Sequence, residues 1–362
     1  MINIAAIADI LNLTRATELQ KGSWVSLSSD LPGYDLYQAL LPRLSKKSSF
    51  DIAFTIAIDG ADTAEYSSVN KPLQVSIPTI NKRVSVRLAK VRKATAYSRD
   101  EQELQGGSEE ELVDVVMQRK AERLDQPLLS FMEHKLCDAP ASSTMTEQEL
   151  YGLKYWFPRD SGATALELNG GGNPTGFSGG AAGLTVADVP RWGHAVCGFT
   201  EVSDTDLLDK LHEFFIRVNY HVPEGAKTIG SAVADRITLC QHPVFRTWAR
   251  LQTAANDDLK SDIGVWRNAI SFMSQPVKVL HAISEPGSPQ TPSDHGLLYN
   301  LDLNTLQLVM HSTLNFGLEQ NQDPNVPGTV KVWREGYAQL LCTNRERNLV
   351  ANTTNSDLYT GA

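Results

Sequence analysis

Two runs of alternating apolar residues, separated by a stretch rich in turn residues, constrain this chain more than any other feature. In FDIAFTIAI, residues 50–58, Ile52, Phe54, Ile56 and Ile58 alternate with smaller residues. In KRVSVRLAKV, residues 82–91, Val84, Val86 and Leu88 alternate with Arg83, Ser85 and Arg87. A period of two puts each set on one face of a strand, so the pair predicts a long β-hairpin with an apolar side and a charged side. A two-stranded ribbon is marginal alone in water, so the apolar side needs a surface to lie on.

The next segment is helical. SEEELVDVVMQRKAERLDQPLLSFMEHKLCD, residues 108–138, opens with a capping box from Ser108 to Glu111 and carries acids in its first turn, where the helix dipole favours them. Leu112, Val116, Leu124, Leu128, Met132 and Leu136 keep a stripe at helical spacing over about 30 residues, or about 45 Å if unbroken. Pro127 is expected to kink or divide that helix. Ahead of the hairpin, Ile4, Ile7 and Leu11 recur at helical spacing, and a second short helical stretch spans Tyr34 to Leu44, an arm with one apolar face. Beyond about Thr200, SDTDLLDKLHEFFIRVNY is an amphipathic helix with Leu208, Leu211, Phe215 and Val218 inward. RITLC is a strand, HPVFRTWARLQ a helix with Pro243 in its first turn, and PVKVLHAI a strand; this alternation predicts an α/β lobe. The last third, with NTLQLVMHSTLNFG, GTVKVW and GYAQLLCTNRERNLVA, reads as successive strands.

The catalytic and metal motifs fail on their flanks. LNGGGNPTGFSGGAAGL, residues 168–184, contains a G-x-S-x-G around Ser178, but a nucleophile elbow needs a strand entering the serine and a helix leaving it, and neither flank has that pattern. Asp294 and His295 lie downstream as conceivable partners for a serine hydrolase. The glycines offer no G-x-G-x-x-G register and no following Lys, so a phosphate cradle is not indicated. The stretch is expected to be a mobile surface loop that becomes fixed where another surface holds it, because ordering so many glycines is entropically costly. HEFFI at His212 has Ile216 where a zincin needs its second His, and the pairs His134 with Cys137 and Cys240 with His242 read more simply as buried thiols and surface imidazoles. No catalytic residue, cofactor or metal is expected.

Charge order is more informative. Tyr66 to Arg99 holds eight basic residues and no acid, whereas Asp100 to Asp114 holds seven acids and no base. Two solvated faces of opposite sign would explain this. Nucleic-acid binding by Lys82, Arg83, Arg87, Lys90, Arg92 and Lys93 is countered by the scarcity of aromatic residues in the hairpin and by a net charge of −9 over the chain. A third reading lays the basic hairpin of one copy on the acidic helix start of the next, at Glu109, Glu110, Glu111 and Asp114. Exposed pairs contribute at most about 1 kcal/mol each, so charge would set register while apolar burial supplied affinity. The four cysteines, Cys137, Cys197, Cys240 and Cys342, are widely spaced as in a reducing compartment. The first twenty residues lack a basic leader and no run reaches the roughly 18 apolar residues of a membrane span, so a cytoplasmic product without a membrane is expected.

Arm, hairpin and Gly-rich loop thus lack an obvious core within the chain, and burial against other copies would supply one. In this order of parts, with YWFP at 155–158 ahead of the Gly-rich stretch and GYAQLLCTNRERNLV at 336–350 near the end, the chain resembles the major capsid proteins of tailed bacteriophages. The resemblance implies an α+β, Hong Kong 97-type fold. Its parts would be an N-terminal arm (1–49), an extended hairpin loop (50–98), a peripheral domain (99–199) with spine helix 108–138, an axial α/β domain (200–323), and return strands with a C-terminal tail (324–362). It further implies self-assembly as hexamers and pentamers into an icosahedral virion shell around double-stranded DNA, formed in the host cytoplasm, with no chemistry by the chain itself. A separate scaffolding protein and a portal are the implied partners, since Met1 leads almost directly into the arm. An encapsulin-like compartment is the alternative within this fold, and a hydrolase using Ser178 is the alternative from another class.

Overall fold

The computed structural model describes residues 34–57, 81–98, 127–140, 148–159, 164–220, 236–255, 271–273, 275–280, 282, 296–314, 316–322 and 329–353. The arm before residue 34, the hairpin tip at 58–80, the helix start with its capping box, and Asp294 and His295 lie outside these residues. The chain divides into two compact units. The smaller comprises Met1–Tyr34, Val91–Phe131 and Leu314–Gly336, and the larger Asp35–Lys90, Met132–Thr313 and Tyr337–Ala362.

The larger unit begins with α1 (Asp35–Leu40), which buries Leu36 and Leu40 completely, followed by a 3₁₀ turn at Leu41–Arg43. β1 (Ser45–Lys47) then runs parallel to β10 (Leu306–His311), with Lys47 opposite His311. The expected hairpin forms from β2 (Asp51–Ala57) and β3 (Asn81–Arg87), antiparallel, with Ile52 opposite Val86 and Phe54 opposite Val84. β4 (Ala89–Ser98) continues after a break at Leu88. Leu88 and Ala89 are both buried, so the break shifts the in/out alternation by one residue, as a bulge does. Of the long helix, turns are described over 127–137, here α2, and its predicted stripe of Leu128, Met132 and Leu136 is buried.

The α/β lobe is built on a mixed sheet. In chain order its strands are β5 (Ala195–Phe199), β6 (Arg236–Cys240), β7 (Ser271–Phe272), β8 (Gln275–Val279), β9 (Leu298–Asp302) and β13 (Leu349–Thr353), hydrogen-bonded in the order β5-β13-β9-β6-β8-β7. β13 is parallel to β5, β6 is parallel to β8, and β9 runs antiparallel between β13 and β6. Two 14-residue helices complete the core, α4 (Leu207–Tyr220) and α5 (His242–Ala255). They are numbered after α3 (Leu153–Trp156), a single turn that carries the first half of the YWFP motif. From α4, Leu207, Leu211, Phe214 and Val218 pack with Trp248 of α5 against Cys197, Phe199, Val277, Leu298 and Ala351 of the sheet. Each large apolar side chain fully buried in this way stabilises the fold by about 1.5–3 kcal/mol before entropy is counted.

Several polar side chains inside the lobe are paired. Arg236 donates to Asn300 Oδ1 at 2.7 Å and to the Arg347 carbonyl, and lies over the rings of Phe214 and Phe215. Asn300 Nδ2 donates to Thr238. Arg347 Nε lies 3.0 Å from Asp302 Oδ2 as an ion pair, and Asn348 bridges the Asp302 backbone to Thr305 Oγ1. β12 (Thr329–Cys342) supplies the remaining ladders. In the larger unit its Ala338–Cys342 segment pairs with β10, and in the smaller unit its Val330–Glu335 segment pairs with β11 (Gly317–Gln322).

Candidate functional site

The root of the hairpin is tied to the larger unit by backbone and by rings. Leu88 N–H donates to the Phe50 carbonyl at 2.8 Å, and Gln339 Nε2 donates to the Arg87 carbonyl at 3.0 Å. The Phe50 ring stacks on His311 at 4.8 Å and meets the edge of Tyr337 at 4.9 Å, while Lys90 Nζ sits 5.8 Å above the Tyr337 ring. His311 Nε2–H donates to the Ser48 carbonyl, which leaves Nδ1 to accept from Thr313 N–H. Phe50 remains 40% exposed.

Above this root the strand period sorts the predicted residues. Val84, Val86 and Leu88 are at most 3% exposed, and Ile52 8%. The expectation that the hairpin has no cover within the chain is therefore corrected for its described base. The reason is physical: the apolar side is buried by the folded chain itself, while the alternating side stays in solvent. On that outer side lie Asp51, Ala53 and Thr55 of β2 with Arg83, Ser85 and Arg87 of β3, Arg83 opposite Thr55 and Arg87 opposite Asp51. Lys82 is half-buried and Lys90 is exposed in the same unit; Arg92 and Lys93 are exposed in the smaller unit. Glu109, Glu110, Glu111 and Asp114 lie outside the described residues, so their pairing with the basic row is not visible.

The Gly-rich stretch corrects a second expectation. It is held by its own chain through buried residues at every third position: Gly171, Pro174, Phe177 and Gly180. The Phe177 ring meets Tyr155 edge-on at 4.8 Å, the Tyr155 hydroxyl accepts from Ala182 N–H at 2.8 Å, and Trp192 Nε1 donates to the Ala181 carbonyl at 3.2 Å. At its start, the completely buried Arg345 donates from Nε to the Trp156 carbonyl at 2.6 Å and from Nη2 to the Gly172 carbonyl at 2.9 Å. Nη2 also lies 3.1 Å from His194 Nδ1, and His194 Nε2–H donates to the Pro158 carbonyl at 2.8 Å. These partners fix the neutral Nε2–H tautomer of His194. Burial first, and the Arg345 charge second, hold its pKa well below the ordinary value. Burial likewise pushes the Arg345 guanidinium down to about 10. Gly171 is required here, because a Cβ would lie 2.1 Å from the imidazole. Aromatic packing and a buried guanidinium thus offset the ordering entropy of the glycines, which sequence reasoning assigned to a neighbouring copy.

Ser178 is exposed in a turn, with no strand entering and no helix leaving it, so the elbow geometry is absent. Cys137 and Cys240 are buried thiols, and His242 is exposed at the start of α5. Among the described residues, no three His, Cys, Asp or Glu side chains cluster as a metal would require. Nor is any described helix long and apolar enough to cross a membrane. What the arrangement provides is a rigid lobe, a pinned connecting loop, and a charged ribbon rooted on an exposed ring.

No protein-family model and no curated protein matches this sequence. Solved structures do match it, nearly end to end. The capsid asymmetric unit of cyanophage A-1(L) aligns with a TM-score of 0.63 at 14% identity, covering 93% of this chain and 97% of that one. The mature capsid of bacteriophage PhiM1 aligns at 0.54 and 10% identity, covering 92% and 91%. The holo-SrpI encapsulin of Synechococcus elongatus aligns at 0.51 and 11% identity, covering 94% of each chain. Likeness over this span at such low identity is a likeness of fold. The described elements and these alignments together give the chain the α+β, Hong Kong 97-type fold of bacteriophage capsid subunits that its order of parts predicts.

Proposed function

We propose that this chain is a major capsid protein: identical copies associate as hexamers and pentamers and close into an icosahedral shell around double-stranded DNA. The observation that carries the reading is the alignment with a cyanophage capsid subunit over 93% of this chain. Fold alone does not fix function, and the basic outer face of β3, unabsorbed by any site chemistry, adds weight. On this reading the chain performs no chemistry, acts in the virion after assembly in the host cytoplasm, and works with a separate scaffolding protein and a portal. The exposed row of Arg83 and Arg87, continued along the sequence by Lys90, Arg92 and Lys93, meets the acidic run at Glu109, Glu110, Glu111 and Asp114 of a neighbouring copy. Charge sets the register there and apolar burial supplies the affinity.

The test is assembly of the purified chain followed by electron microscopy, with charge reversals. Arg83→Glu with Arg87→Glu is expected to impair shell formation, and Glu110→Lys with Asp114→Lys to restore it in part. Normal assembly of the Arg83 and Arg87 double reversal at physiological salt would remove the inter-subunit pairing from the account. The encapsulin alignment favours a second reading, a compartment that holds protein cargo. Ultraviolet absorbance of purified shells separates the two: co-purifying DNA supports the first reading, and protein cargo without DNA supports the second.

A further inference from the structure

The ring at the hairpin root is held rigid by the fold and left uncovered on one side. Lys47 of β1 stands opposite His311 of β10, and the register that pairs Met310 with Ala338 brings Tyr337 of β12 beside His311. Residues paired across strands share a face of the sheet, so Lys47, His311 and Tyr337 form one row, with the two rings 6.2 Å apart. Phe50 closes over that row, stacked on His311 at 4.8 Å and edge-on to Tyr337 at 4.9 Å. The Leu88 amide holds its carbonyl, and the imidazole beneath it is fixed between the Ser48 carbonyl and Thr313 N–H. Phe50 is still 40% exposed. Cations rim it: Lys47 at one end of the row, Lys90 Nζ 5.8 Å above Tyr337 at the other, and Arg87 on β3 opposite Asp51, the residue after Phe50. All three are exposed, and every residue of the cluster belongs to the larger unit.

A lone apolar side chain on a surface is ordinary, but a rigid ring framed by cations is a preformed anchor. Its conformational freedom is already lost in folding, and aromatic anchors of this kind carry a large share of the affinity where they occur. We propose that this surface docks a second copy of the chain: the open side of Phe50 seats an apolar side chain from the acidic run 100–114, and Lys47, Arg87 and Lys90 take its carboxylates. This rests on the pairing of the basic row with that run, and it names the apolar contact that the pairing needs. The run lies outside the described residues, and its sequence supplies the match. Leu104 follows Glu103, and Leu112 stands between Glu109, Glu110 and Glu111 on one side and Asp114 on the other, so leucine and carboxylates arrive together. A single-stranded nucleic acid fits less well. Successive bases need successive platforms, and here His311 is buried beneath Phe50 and Tyr337 is half-buried.

A photoreactive side chain identifies what covers the ring. The full-length chain with p-benzoylphenylalanine in place of Phe50 is mixed with isotope-labelled wild-type chain and irradiated, and the cross-linked peptides are mapped by mass spectrometry. The expected product joins position 50 of one copy to the 100–114 run of another, recognised by its mixed labelling. Cross-links confined to one chain, to another part of a second copy, or to nucleic acid, or none at all, would overturn the docking site. In parallel, Phe50→Ala should raise the concentration at which copies associate by about tenfold, and Phe50→Leu should recover part of that loss; an unchanged concentration in Phe50→Ala would equally overturn it. Electron microscopy of the same samples separates this result from the shell reading. The expected cross-link in small oligomers alone keeps the docking site and removes the shell, whereas closed shells that respond to reversal of Arg83 and Arg87 but lack the cross-link remove the docking site alone.

Discussion

Replacing Arg345 with Met keeps most of the side-chain volume and removes every donor. Two buried acceptors lose their partner, the Trp156 carbonyl and His194 Nδ1, and the carbonyl of the exposed Gly172 loses another. Leaving a buried acceptor unsatisfied costs about 1–3 kcal/mol, so the gross loss is on the order of 2–6 kcal/mol. Against it stands relief of a buried cation without a carboxylate. Its pKa falls from 12.5 to about 10, which corresponds to roughly 3 kcal/mol. A net destabilisation of about 1 kcal/mol is expected, against the 5–15 kcal/mol that holds a typical domain together. Denaturant unfolding of unassembled subunits measures the loss. Hydrogen exchange across 170–184 locates it, because the variant should open the Gly-rich loop before the α/β lobe. A gain in stability, or a loss that leaves exchange in the loop unchanged, would refute the argument that Arg345 pins it.

Gly171→Ala should cost about 1–3 kcal/mol through overpacking against the fixed His194 ring, while Gly172→Ala, with open space around it, should stay within about 0.5 kcal/mol in the same unfolding assay. Asp206 loses water on burial, but Lys210 at 2.6 Å and the amides of Thr200 and Glu201 outweigh that and hold its carboxyl below the ordinary range. Its contribution is thus present above the usual carboxylate range and lost as pH falls through the depressed value, so Asp206→Asn should flatten the acid limb of a stability-against-pH curve. Burial pushes Cys197 and Cys342 up to about 12 and Cys137 and Cys240 upward as well. A thiol-reactive disulfide reagent should therefore modify none of the four at pH 8 until the chain is unfolded, and rapid labelling of the native protein would contradict their placement.

Local periodicity made much of this fold legible. Alternation predicted β2 and β3, a helical stripe predicted α4, and Pro243 in a first turn predicted α5, because each depends on which neighbours in sequence face the same way. The pinned loop was not legible, since its anchors come from afar: Arg345 lies 189 residues from Trp156 and 151 from His194. The one local cue is His194 itself, set directly before the fully buried strand AVCGF. Buried Glu133 on α2, which accepts from the Tyr37 amide, was hidden for a related reason. A carboxylate beside an apolar stripe reads as a solvated edge until α1, ninety-six residues earlier in the chain at Tyr37, covers it. The basic row was legible and its exposure follows from alternation, whereas a partner on another copy leaves no mark on the fold of one chain.

The mass of the purified full-length protein in solution, by light scattering with particles imaged by electron microscopy, tests the central claim most directly. Closed, symmetric particles of megadalton mass are the predicted result. A population that remains at the 39.8 kDa of a single chain, or at a small multiple of it, under conditions that support assembly would contradict it.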